Sequence, residues 1–138
     1  MNPDCVIVDA NIVFKSLCDG RGDLRGRLAP DAHPQFFSPR FLFVELFKHK
    51  ERLARAAGLP EDDFLEGLYA LLSRLEFVNE ANIPMGTWVE AHRLCKGVDE
   101  RDTPYVALCL HMDGRLWTED AELKVGLRGR GFDRFYEP

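Results

Sequence analysis

Four carboxylates stand where a charge has more to do than keep the chain soluble: Asp9, Glu45, Asp102 and Asp120. Asp9 directly follows the β-branched run Cys5-Val6-Ile7-Val8, and Asp120 follows Arg115-Leu116-Trp117 after a short turn. Asp102 precedes Thr103-Pro104 and the apolar stretch Tyr105 to Leu110. Taken singly, each of these three suits a helix N-cap, a common role for Asp at a strand-to-helix turn. Glu45 differs, because it sits inside Phe41-Leu42-Phe43-Val44-Glu45-Leu46-Phe47. A helix there has no polar face, so the carboxylate is expected to enter a partly buried region, where it needs a cation or a donor. A salt bridge to a buried Arg is the structural alternative. Brought together, four such groups would repel and raise one another's pKa values unless metal ions bound them. An all-oxygen set suits Mg²⁺ or Mn²⁺ and not zinc. The chemistry such a site supports is water activation and in-line phosphoryl displacement. Asp99 stands three residues before Asp102, close enough to share its side of the helix start.

The elements that must position these acids alternate between strand-like and helix-like segments. Cys5–Val8 reads as a strand buried on both faces, followed by a helix from Asn11 or Ile12 to Cys18. Gln35-Phe36-Phe37 is a second strand, and Ser38-Pro39 then reads as an N-cap with proline at the first helical position. That helix stops at Gly58, and Pro60 opens another over Glu61 to Leu75. Glu76–Val78 is a third strand and a helix runs from Met85 or Gly86 to Lys96. The helix from Thr103 to Met112 is apolar nearly all round, which places it centrally. Arg115–Trp117 is a fourth strand, a helix starts near Asp120, and Phe135-Tyr136 is a short final strand. Asp19 to Pro34, rich in Gly, Pro and charge, reads as a long surface loop with a short helical piece around Leu24 to Leu28. The alternation implies an α/β fold with a mostly parallel sheet and helices on both faces, and ligands bind such sheets outside the carboxyl ends of the strands.

The 138 residues fit a single domain spanning 1–138. Acids outnumber bases, 23 to 18, which excludes a strongly basic nucleic-acid coat. The longest apolar run, Pro104 to Leu110, is far too short for a membrane span, and the N-terminus shows no secretory signal. Cys5, Cys18, Cys95 and Cys109 form no CxxC pair and read as buried reduced thiols of a cytoplasmic protein. His33, His49, His92 and His111 show no ligand spacing, and Trp88 and Trp117 read as core residues.

These acids and their flanks resemble the PIN-domain family of metal-dependent ribonucleases, which includes the VapC-like toxins. Val8-Asp9-Ala10-Asn11 is similar to the family's opening motif, and Glu45 matches its acid in the second helix. Asp102-Thr103-Pro104-Tyr105-Val106-Ala107-Leu108 resembles its third motif and Trp117-Thr118-Glu119-Asp120 its fourth. No single motif is specific, but four in this order at this chain length are. The resemblance covers nearly the whole chain. It implies a three-layer α/β/α sandwich in which Asp9, Glu45, Asp102 and Asp120 bind Mg²⁺ or Mn²⁺, with Asn11, Thr118 and Asp99 orienting them. It further implies hydrolysis of single-stranded RNA and the toxin role in a bacterial or archaeal toxin–antitoxin pair. An antitoxin protein and a homodimer are the partners it implies.

Two basic groups are candidates for RNA phosphates. Lys48, His49, Lys50, Arg52 and Arg55, interleaved with Glu51, read as a solvated helix face. Lys124, Arg128 and Arg130, with Arg134, lie closer in sequence to Asp120 and are the better candidates for substrate contact. A haloacid-dehalogenase-like phosphatase needs a second acid where Asn11 stands, and a response-regulator receiver needs an acidic pair after the first strand. The stronger rivals keep the PIN fold: an RNA- or protein-binding module without catalysis, or an orphan RNA-processing nuclease.

Overall fold

The computed structural model describes residues 2–18 and 35–138. The stretch Asp19–Pro34, expected to be a long loop with a helical piece, lies outside the described residues. Four strands form one parallel sheet in the order β3-β2-β1-β4: β1 Cys5–Val8, β2 Gln35–Pro39, β3 Glu76–Val78 and β4 Arg115–Trp117. All four residues of β1 are buried, as its β-branched run requires of a strand covered on both faces. It pairs Val6 with Phe36 of β2 on one side and Ile7 with Leu116 of β4 on the other.

Among the described residues, six helices connect and cover the sheet: α1 Ala10–Cys18, α2 Phe41–Ala57, α3 Glu61–Leu72, α4 Met85–Cys95, α5 Thr103–Met112 and α6 Ala121–Arg128. From β1 the chain steps outward through α1 to β2, then through α2 and α3 to β3. It returns through α4 and α5 to β4, on the other side of β1. Right-handed crossovers in opposite directions put the two helix sets on opposite faces. Thus α1, α2 and α3 pack together, while α5 packs on β1, β2 and β4 with α4 against it. The result is the expected α/β/α sandwich. The core gathers β1, the inner faces of the helices, and Trp117, which packs against Phe36 and Tyr136.

Local sequence explains most boundaries. Gly58 ends α2 at φ 71°, a left-handed position that favours glycine. Pro104 sits in the first turn of α5, and Tyr105 to Cys109 are all buried, as the all-round apolar pattern requires. The expected N-cap at Ser38-Pro39 is corrected: both residues belong to β2, and α2 starts at Phe41 after Arg40. The Ser38 hydroxyl is fully buried and donates to the Val8 carbonyl at 3.2 Å, so it ties two strands instead of capping a helix. The third helix also stops earlier than the apolar spacing suggests, at Leu72, although Leu75 remains buried beyond it. Phe135 makes an isolated parallel bridge to Leu116, which extends the sheet edge by one contact where a final strand was expected. Cys5, Cys95 and Cys109 are buried free thiols. No helix among the described residues is long and apolar enough to cross a membrane.

Candidate active site

The order β3-β2-β1-β4 reverses direction between β1 and β4, so the crevice of this sheet opens at the carboxyl ends of those two strands. Asp9 follows β1 and Thr118 follows β4, and the Asp9 amide continues the ladder by donating to the Trp117 carbonyl at 3.3 Å. Asp9 is 2% exposed. Its Oδ1 accepts the Ile12 amide at 3.0 Å, and the Thr118 hydroxyl also bonds it. Burial nevertheless pushes the Asp9 carboxyl up to about 6, with Glu45 and Asp120 adding to the rise. Thr118 is itself buried and accepts the Asp120 amide at 3.2 Å. Asp120 caps α6, accepting the Leu123 amide at 3.1 Å. The N-cap role and the approach to the crevice therefore coexist at both Asp9 and Asp120.

Glu45 points from the middle of α2 toward α5, where the Tyr105 hydroxyl donates to its Oε1 at 2.7 Å. A phenol stands where a buried Arg was the structural alternative. Burial and then the Glu45 carboxylate raise the Tyr105 pKa, so the hydroxyl keeps its proton and remains a donor. The stretch around Glu45 is not buried all round, since Val44 and Phe47 are exposed.

Asp99 precedes a 3-10 turn over Glu100–Asp102, and Asp102 is its last residue. Asp99 caps that turn through the Arg101 amide at 3.1 Å and also receives the Arg101 guanidinium at 3.2 Å. Arg101 holds the Asp99 carboxyl below its usual range, with a smaller contribution from a hydrogen bond with the Asp102 side chain. Asp102 occupies the N-cap position of α5 but makes no side-chain cap bond. Burial, followed by Asp99, Asp9, Glu45 and Asp120, pushes its carboxyl up to about 7. Carboxylate oxygens of Asp99, Asp102 and Asp120 lie within 4.8 Å of one another. This set consists of hard oxygen donors, partly buried, whose mutual repulsion adds to the rise at Asp102; it fits a divalent ion of the Mg²⁺ or Mn²⁺ kind. Asp99, read from sequence as a supporting residue, is therefore part of the tightest cluster. Asp9 and Glu45 adjoin that cluster without belonging to it.

A cavity of about 150 Å³ opens beside the acids, lined by Asn11, Phe14, Glu45, His49, Arg52, Asp99, Arg101 and Asp102. His49 and Arg52 line this cavity; Arg52 is exposed, as a solvated face requires, and His49 is half-buried. Their spacing of four and seven from Glu45 puts all three on one side of α2, and that spacing was the available signal. Arg101 is a second arginine of this cavity, and sequence reasoning missed it. The C-terminal bases are engaged within the chain. Lys124 pairs with Glu137 at 3.0 Å, Arg128 with Asp133 at 2.8 Å, and Arg134 with Asp113 at 2.7 Å. Arg130 donates to the carbonyls of Arg93 and Leu94.

The relative position of Asp99 and Asp120 depends on a close approach behind them. A Cβ at Gly126 of α6 would come within 2.5 Å of Val98 Cγ1, so only glycine lets α6 lie this near the Val98–Asp99 segment.

Residues 7–135 match a family model described as the PIN domain. In solved structures, the chain is similar to one in the crystal structure of VapBC2 from Rickettsia felis bound to a DNA fragment from their promoter. The TM-score is 0.68 at 13% identity, over 88% of this chain and 92% of that one. At that identity the likeness is one of fold. No curated protein matches the sequence.

Proposed function

The chain belongs to the PIN-domain family, and from that premise we propose that it is a Mg²⁺- or Mn²⁺-dependent endoribonuclease acting on single-stranded RNA. The observation that carries this reading is the convergence of Asp99, Asp102 and Asp120 within 4.8 Å beside Asp9 and Glu45. Asp99, Asp102 and Asp120 would hold the ion, with Asp9 and Glu45 at its margin. When bound, the ion supplies Lewis-acid polarisation of a phosphate oxygen.

The chain's own residues do the rest. Ile12 and Thr118 fix the Asp9 carboxylate, and Tyr105 fixes Glu45, so neither acid must reorganise as charge develops. Asp102, whose carboxyl burial and neighbouring acids push up to about 7 and which makes no cap bond, is the group proposed to take the proton from an attacking water. The water oxygen bonds to phosphorus, the bond to the leaving ribose oxygen breaks, and the carboxyl proton is then available to that oxygen.

The same reading makes the protein the toxin of a bacterial or archaeal pair, a single catalytic domain in the cytoplasm. Exposed Val44 and Phe47 on α2, and Met85 and Val89 on α4, support an antitoxin contact and a homodimer. A small antitoxin gene beside this one would agree with that role, whereas an isolated gene would favour an RNA-processing nuclease.

The test is cleavage of single-stranded RNA with Mg²⁺ or Mn²⁺ by the wild type, Asp9→Asn and Asp102→Asn, alongside calorimetric Mn²⁺ titration. Cleavage by the wild type with loss in both variants is expected. Equal cleavage by all three would overturn the assignment, and metal binding without turnover would make the protein a binding module.

A further inference from the structure

Arg52 is the exposed arginine of the acid-lined cavity that the described residues leave unused. Arg101, the other arginine there, is bound to Asp99 through both Nε and Nη2. Arg52 makes no ion pair or side-chain hydrogen bond among the described residues, although it shares the cavity with Glu45, Asp99 and Asp102. Its neighbours on α2 are accounted for differently: Lys50 pairs with Glu61 at 3.3 Å, and His49 sets its ring edge-on to Phe14 at 6.3 Å. Arg52 lies seven residues beyond Glu45 on α2, or about 10 Å along the helix axis. Lining the same cavity without an ion pair to Glu45, Asp99 or Asp102, its guanidinium stands apart from the carboxylates that would hold the scissile phosphate. Its planar fork suits a phosphate bidentately, and it is less strongly hydrated than an ammonium.

We infer that Arg52, with His49 beside it, binds a second phosphate of the RNA strand, next along from the one being cleaved. This rests on the nuclease reading and deepens it. A substrate with several phosphates gains this contact, while a dinucleotide with a single phosphate does not. The cavity thereby selects bonds inside a strand. His49 and Phe14 line the same cavity with their rings edge-on.

The experiment compares a ten-residue oligoribonucleotide with a dinucleoside monophosphate as substrates for the wild type, Arg52→Ala and Arg52→Lys. Arg52→Ala is expected to raise KM for the oligonucleotide about 10-fold and shrink the preference for it over the dinucleotide by the same factor. Arg52→Lys restores part of that preference. A second arm needs no turnover. Fluorescence anisotropy follows the labelled oligonucleotide bound to Asp102→Asn, with and without Arg52→Ala, across salt concentrations. Loss of one phosphate contact lowers the salt slope by about 0.7 for a single strand. An unchanged preference together with an unchanged slope overturns the inference. If the wild type cleaves neither substrate, the nuclease reading fails, and the slope alone decides for or against the Arg52 contact.

Discussion

Asp9 and Glu45 reach the site from β1 and α2 already engaged, whereas Asp102 arrives from the α5 side with little to hold its charge. Asp9 has Ile12 and Thr118 as donors, and Glu45 has Tyr105. Asp102 has no cap bond, and its nearest carboxylates are Asp99 and Asp120. The first side resembles a fixed wall, its orientations set before any ligand arrives. The second side stores repulsion that a cation relieves. Preorganisation and binding energy thus come from different parts of the chain, and each can be removed without the other.

The largest test of that division is Asp102→Asn. It is expected to weaken Mn²⁺ binding by roughly 100-fold or more, because it removes a charge worth several kcal/mol to the ion. The same change should stabilise the metal-free protein at neutral pH. From ordinary values near 3.8, the folded state raises Asp9 to about 6 and Asp102 to about 7. Between about pH 4 and pH 7 the folded chain keeps protons that the unfolded chain has lost, so stability falls as pH rises through that window. Thermal melting with a chelator should show this fall, flattened in Asp102→Asn and offset by Mn²⁺ at pH 7.5. A flat wild-type profile would erase the contrast between the two sides.

Gly126→Ala probes the second side from behind. The added methyl would meet Val98, and overpacking of this kind costs about 1–3 kcal/mol, less the roughly 1 kcal/mol gained in helix propensity. Weaker Mn²⁺ binding should accompany the loss, because α6 carries Asp120 away from Asp99. Val98→Ala in the same chain should restore both. Recovery of stability without recovery of Mn²⁺ affinity would show that the approach at Gly126 does not set the cluster.

The smallest effect belongs to the fixed wall. Tyr105→Phe removes the donor to Glu45 and is expected to cost about 1–2 kcal/mol in urea unfolding, with Mn²⁺ affinity down by about 10-fold. An affinity loss as large as that of Asp102→Asn would place Glu45 among the ligands and merge the two sides.

Much of this arrangement was legible because local pattern and global topology agree. The buried run Cys5–Val8, the Thr103-Pro104 start and the Gly58 stop carry their structural meaning within a few residues. Ser38-Pro39 misled because the same pair that suits a helix start also suits the end of a strand, and only the Val8 carbonyl across the sheet decides between them. At the site, the four acids were visible from their placement after strands or within an apolar run. The prominence of Asp99 was not, because its closeness to Asp120 is set by the contact of Gly126 with Val98. The bases were the reverse case. Nearness in sequence pointed to Lys124 and Arg128, yet Glu137 and Asp133 engage them. Helical spacing from Glu45 pointed to Arg52, and that signal was overridden by the charged composition around it.

The strand β4 joins β1 on the side opposite β2, and it is the last strand in the chain. On a ribosome this order becomes a timetable. The first half to emerge contains Asp9 and Glu45 but none of the three clustered acids, and β1 has no neighbour on its β4 side. Domains assemble as units during synthesis, at about 5–20 residues per second. On the proposed reading, a chain that hydrolyses RNA is made by a machine built of RNA, and its acid cluster is complete only after residue 120 has left that machine. Late assembly of the cluster would then keep the nascent protein inert beside its own template.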